Sequence, residues 1–218
     1  LHTIAHALFK SGLFMMVGVV DHATHTRDLR RLPQLYRQMP WSFAVVVLGT
    51  ASMAGVPPML GFLSKESMLA AIRQAPGDAW AGCAALIVMA AGAVLTFAYS
   101  VRIVFGGFVD GTDPRPVHGT TPGLFLPAAL PIVVSVPLAF AVGVLDGPVG
   151  RAVEAALPHL EVETHLYLWH GFTVELLVTA LVIAAGVAVI LRRRQLQGVF
   201  EKTLLPIDGV GVIERIHV

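Results

Sequence analysis

His2, His6 and Lys10 stand at i, i+4 and i+8 near the start of the chain. That spacing turns through only about 40° of helical angle per step, so all three fall on one stripe of a helix. The stripe would extend about 12 Å along the axis, with successive members close enough for one water to bridge them. Imidazole takes up and releases a proton near neutrality, and an ammonium deprived of water gives up its proton more readily than one in solvent. Three such groups in line make a candidate proton relay. The plainer alternative is that the histidines hydrogen-bond neighbouring helices and never titrate.

A second stretch, Gly61-Phe62-Leu63-Ser64-Lys65-Glu66, sets a lysine beside a carboxylate. Adjacent helical residues point about 100° apart, so the two are free to serve different neighbours. Just upstream, Gly55, Val56, Pro57 and Pro58 interrupt an apolar run that continues through Gly61. Consecutive prolines lose two N–H donors and clash with the preceding turn, which breaks a helix. An opened helix at membrane depth is tolerated only where it is buried in protein or lines a wet cavity. Gly55, Pro57, Pro58 and Gly61 therefore mark a helix break beside an ion path, with Lys65 as the proton carrier and Glu66 as the carboxylate that modulates it. A simple proline kink and a helix-end ion pair are the alternatives.

Composition places these groups in a bilayer. The 218 residues are 56% hydrophobic and only 13% charged, with mean hydropathy +0.74, against roughly 25% charged in soluble chains. A spanning helix needs about 20 apolar residues. Five runs qualify, at 1–20, 41–72, 79–105, 121–145 and 172–191, and the expected fold is an all-α integral membrane protein whose second helix is broken at Gly55–Gly61. Of the three lysines, Lys10, Lys65 and Lys202, two fall inside spans. Lys10 lies about 16 Å from Asp21 along a helix and Lys65 about 12 Å from Arg73, so both are expected near the midplane. There an ammonium costs about 2.5–3.5 kcal/mol on insertion scales and persists only when something offsets it.

Other chemistry is excluded or weakly signalled. One cysteine, Cys83, rules out disulfide frameworks, thiolate-held clusters and a CxxC pair. The net charge of +1 gives no ground for a nucleic-acid partner. Neither a metal-ligand spacing nor a phosphate-binding glycine motif is present, so neither metal nor cofactor is expected. His22, His25, His118 and His217 fall in loops or the tail, where solvated histidine is the ordinary reading. Glu175, at the start of the fifth span, reads as interfacial. The chain begins at Leu1 without a signal-peptide pattern and reads as a piece of something longer.

The two motifs, His2-Thr3-Ile4-Ala5-His6-Ala7-Leu8-Phe9-Lys10 and Gly61-Phe62-Leu63-Ser64-Lys65-Glu66, resemble the antiporter-like membrane subunits shared by Mrp-type sodium/proton antiporters and respiratory complex I. The resemblance covers roughly residues 1–110. In that family the matching helices sit in the second of two inverted five-helix repeats. Residues 1–110 then stand for part of the second repeat of a proton-channel domain, and 111–218 for further transmembrane helices and a tail. The resemblance implies that His2, His6 and Lys10 form the central relay, and that Lys65 is the terminal lysine with Glu66 beside it. Thr26-Arg27-Asp28-Leu29-Arg30-Arg31-Leu32 is similar to the family's loop after the relay helix. His165-Leu166-Tyr167-Leu168-Trp169-His170-Gly171 resembles the large-subunit branch of the Mrp antiporters.

The implied function is proton translocation in a multisubunit Na+/H+ antiporter, a secondary transporter rather than an enzyme. Its partners would be other integral membrane subunits, the lipid bilayer, protons and Na+. The alternative is a proton-pumping subunit of NADH-quinone oxidoreductase or a membrane-bound hydrogenase. A scaffold whose lysines never titrate is a third possibility. The first repeat is absent, so transport by this chain alone is not expected.

Lys and Arg fall unevenly: 21–40 holds Arg27, Arg30, Arg31 and Arg37, the stretch after the third span, 106–120, holds Arg115 with Arg102 at its edge, and the tail holds Arg192, Arg193, Arg194 and Lys202. Cationic loops are retained in the cytoplasm, so these three segments are expected there, in a multi-pass protein of the bacterial inner membrane. Arg73 and Arg151 are expected outside. In the intact complex, Arg31→Cys should react with an impermeant thiol reagent only from the cytoplasmic side and Arg151→Cys only from the other. Labelling of both from one side would mean that the number of crossings between them is wrong.

Overall fold

The computed structural model describes residues 1–26, 28–75, 77–157, 165–168 and 171–204. Helix α1 spans His2–Thr24, α2 is a single turn at Leu35–Gln38, and α3 covers Pro40–Ala54. After the break come α4 (Leu60–Gln74) and α5 (Ala79–Val104), the latter continuing into a π turn at Phe105–Val109. Helix α6 (Pro122–Phe140) leads through a 3-10 turn at Val142–Leu145 into α7 (Asp146–Ala156), and α8 spans Val174–Leu204. The described residues contain no strand. Helices α1, α5, α6 and α8 are each long and apolar enough to cross a membrane, while α3 is a shorter apolar helix of 15 residues. Together α3 and α4 fill the place of one broken span.

The expected spans thus appear with small shifts. Two features were not read from the sequence. Helix α7 forms in the connection between the fourth and fifth spans, and α8 runs past residue 191 to Leu204. The Arg192–Arg194 cluster therefore belongs to a helix and not to an irregular tail.

The core is built on narrow stripes. Helix α1 buries Ala5, Phe9, Gly12, Met16, Val19 and Ala23, spaced alternately by three and four residues, which keeps them on one face. That face packs chiefly on α6 and also on α3. Ile132 of α6, fully buried, wedges between the two helices, and a Cβ at Gly12 or at Gly49 would collide with its side chain. This packing joins residues 1–110 to the helices that follow them in one core.

The loops gather at two ends. At one, the His118 N–H donates to the Ala23 carbonyl at 3.1 Å and the Val117 N–H to Gln38 Oε1 at 2.8 Å. Arg193 of α8 pairs there with Asp110 at 3.3 Å and lies over the Phe105 ring. At the other, Arg73 pairs with Glu175, and the Leu166 N–H donates to Asp146 Oδ1 at 2.9 Å. The segments expected on a common side of the membrane are therefore neighbours in the fold.

The break is made by local chemistry. Gly55 takes a left-handed φ of 83°, and the N–H groups of Gly55 and Val56 both return to the Ala51 carbonyl, closing α3 with a glycine C-cap. Pro57 and Pro58 then prevent the helix from continuing. The chain re-enters a helix at Leu60, so the interruption covers Gly55–Met59 and Gly61 lies one residue inside α4.

Gly61 serves close approach. Its N–H donates to Ser52 Oγ at 3.2 Å, and a Cβ there would overlap the Ser52 carbonyl. Gly61→Ala should cost about 1–3 kcal/mol by overpacking, read as a lowered midpoint of thermal unfolding in the purified subunit. Gly18→Ala, whose Cβ meets nothing within 4 Å, is the control expected to leave the midpoint unchanged.

Candidate functional site

Lys65 folds back across the break. Its Nζ donates to the Met53 carbonyl at 2.8 Å, and its Cδ would lie 2.9 Å from a Cβ on Gly55. Any side chain at Gly55 would thus displace the lysine. The last turn of a helix exposes carbonyls without intrahelical partners and carries partial negative charge. The ammonium satisfies one such carbonyl and complements that charge.

His2 approaches the same place from α1. Its Nδ1 lies 3.1 Å from Ser64 Oγ, while the Ser64 hydroxyl donates to the Gly61 carbonyl at 3.0 Å. A hydroxyl has one proton to give. With it committed to Gly61, Ser64 accepts from a protonated Nδ1, and Nε2 of a neutral His2 is left as the acceptor. His2 and Lys65 line one cavity of about 220 Å³, together with Gly55, Thr96 of α5 and Thr179 of α8.

The expected stripe divides. His2 and His6 have ring centroids 5.9 Å apart, but His6 is exposed and sets its ring edge-to-face against Phe9. Lys10 lies over the faces of Phe14 and Tyr99, with Nζ 5.6 and 5.4 Å from the centroids, within cation–π range. It lines a second cavity of about 280 Å³ whose polar members include Asp21, Tyr99 and Arg102. Met53, whose carbonyl receives Lys65, borders this second cavity.

Within the bundle the two lysines line different cavities. Lys65 joins His2, while Lys10 sits about 12 Å further along α1. The reason is the break, which starts α4 level with the first turn of α1.

Glu66 is 5% exposed and is not among the residues that line the Lys65 cavity. Glu175 is also buried, at 5%, where the sequence suggested an interfacial group. Its Oε1 accepts from Arg73 Nε at 2.6 Å. Nothing in the sequence links positions 102 residues apart, so this pair was not legible. Ser64 was legible only as part of its motif. Tyr99, Thr96 and Thr179 carried no signal, since each is an ordinary residue in an apolar run. Arg27, Trp169, His170 and residues 205–218, including Asp208 and His217, lie outside the described residues, as do the side chains of Arg30, Arg194 and Lys202.

Membrane-length helices, a broken helix and a half-buried lysine bridging the break define a polytopic membrane protein built around an interrupted span. Residues 1–96 match the family model described as "NADH:quinone oxidoreductase/Mrp antiporter, TM". The chain is 33% identical over 216 residues to a Na(+)/H(+) antiporter subunit of Bacillus subtilis (strain 168), covering 92% of this chain and 27% of that protein. To the subunit of the same name from Alkalihalophilus pseudofirmus it is 34% identical over 205 residues, 87% of this chain and 26% of that protein. A chain of the solved "Structure of Mrp complex from Dietzia sp. DQ12-45-1b" superposes with a TM-score of 0.79 at 44% identity, covering 99% of this chain and 23% of that chain. The resemblance to antiporter-like membrane subunits therefore holds along nearly the whole chain. The chain spans about a quarter of the length of the curated relatives it matches.

Proposed function

We propose that the chain is part of the proton-translocating large subunit of a multisubunit Na+/H+ antiporter, working as a secondary transporter with other integral membrane subunits. The observation that carries this reading is the meeting of His2 and Lys65 in one cavity at the helix break, in a chain whose relatives are named as Na(+)/H(+) antiporter subunits. His2 passes a proton to and from Lys65 through water in that cavity. Lys10 serves the second cavity, toward Asp21 and Arg102, and His6 lies between the two. Glu66 modulates the field at Lys65 from the next position on α4. Residues 1–110 act as part of a channel repeat and 111–218 supply flanking helices. Loops 21–40 and 106–120 and the C-terminal tail face the cytoplasm of a bacterial cell.

A second reading rests on the family description, which also names NADH:quinone oxidoreductase. There the same groups would carry protons driven by quinone reduction in partner subunits. The two readings separate on the driving force: exchange that requires Na+, or pumping that requires NADH and quinone.

Lysine can release its proton during turnover, whereas a guanidinium keeps its own at any working pH. In membrane vesicles holding the whole complex, Lys65→Arg should assemble and yet lose nearly all Na+-dependent proton exchange. Full exchange by an assembled Lys65→Arg complex would show that this lysine need not titrate. Lys10→Ala should also abolish exchange. His6→Ala should be milder, because an exposed position admits a water in place of the ring.

A further inference from the structure

We propose that Arg73 and Glu175 form a positioning pair that holds α8 against α4 and closes the outer end of the cavity shared by His2 and Lys65. The inference rests on the proposed proton path and adds to it the groups that keep one end of that path shut.

Helices α4 and α8 run antiparallel where they flank the cavity, and the pair sits at the same level on both. On α4 the lining ends at Leu69, one turn before Arg73. On α8 it begins with Val178 and Thr179, one turn after Glu175. The next step outward on each helix is therefore the ion pair, about 6 Å beyond the last lining residues. Its Nε–Oε1 distance is 2.6 Å, with the carboxylate buried and the guanidinium about half exposed. Each group also suits its own helix. Arg73 lies in the last turn of α4 and Glu175 in the first turn of α8, where the helix termini favour those charges. Thr173 adds a cap, accepting the Leu176 N–H at 3.2 Å.

The rest of α8 is fastened elsewhere. Gly186 lets it close on α5, since a Cβ there would overlap the Phe97 ring, and Arg193 pairs with Asp110 near the far end. Loss of the Arg73–Glu175 pair would therefore free the end of α8 that covers the cavity and leave the other contacts in place. Loss of Arg73 would leave the buried Glu175 carboxylate without its partner, which is costlier than never having had the pair, whereas loss of Glu175 leaves a half-exposed guanidinium to water.

The test uses the full antiporter complex in membrane vesicles, in a Cys83→Ala background. Val182→Cys serves as a reporter, because Val182 is buried and lines the cavity. An impermeant thiol reagent is applied on the side that carries Arg73. With the native pair, Val182→Cys should stay unreactive. With Glu175→Gln it should react at least about tenfold faster, and exchange should fall by a similar factor. The double substitution Arg73→Glu with Glu175→Arg should restore protection, which simple loss of packing would not do. If Glu175→Gln does not assemble, Arg73→Gln carries the same expectation, because it removes the same ion pair from the other helix. Protection unchanged in an assembled Glu175→Gln or Arg73→Gln complex would overturn the inference. Absence of Na+-dependent exchange by the native complex would instead count against the proposed function, and the labelling result would still decide whether the pair closes the cavity.

Discussion

The structure depends on what becomes of the carbonyls at the end of α3. A helix interrupted inside a bilayer leaves backbone acceptors that water cannot reach, and each must find a partner within the protein. Here the N–H groups of Gly55 and Val56 take the Ala51 carbonyl, and the Lys65 ammonium takes the Met53 carbonyl. Ser52 contributes its hydroxyl to the Gly61 N–H, which draws the first turn of α4 onto the last turn of α3. Only glycine fits at Gly55 and Gly61, at the first because of φ and the lysine beneath it, at the second because of the Ser52 carbonyl. The lysine is thus a structural cap and a candidate proton carrier at once. Such a group can work only if its neutral form still donates one hydrogen bond, which an amine does.

Around that junction the longer helices are arranged by close contact and by paired charges. Ile132 fills the space left by Gly12 and Gly49 and brings α1, α3 and α6 together. Helix α8 is held by Glu175 and Arg193, 18 residues apart in the chain, or about 27 Å of helix. That span approaches the roughly 30 Å of a hydrocarbon core, so the two ion pairs fall where charges near the membrane boundaries are least costly. Between them α8 presents Val178, Thr179 and Val182 to the cavity.

Met53 carries the carbonyl that holds Lys65 and also borders the cavity around Lys10.

Much of this was legible in the residues. Apolar runs of spanning length, the Gly-Val-Pro-Pro interruption and charged groups inside spans require an all-helical membrane fold with a broken helix, because lipid tolerates few other solutions. The types and spacing of His2, His6 and Lys10 put them on one helical face, since helical periodicity is local. What each of them touches is not local. Packing alone decided that His2 meets Ser64 and Lys65, that His6 is left exposed, that Lys10 turns to Tyr99 in another cavity, and that Glu175 is buried against Arg73. Those contacts join residues up to 102 positions apart. A sequence specifies the order and polarity of its helices through short-range chemistry, whereas the partners across helices depend on which glycines allow close approach and which charges must pair once water is gone.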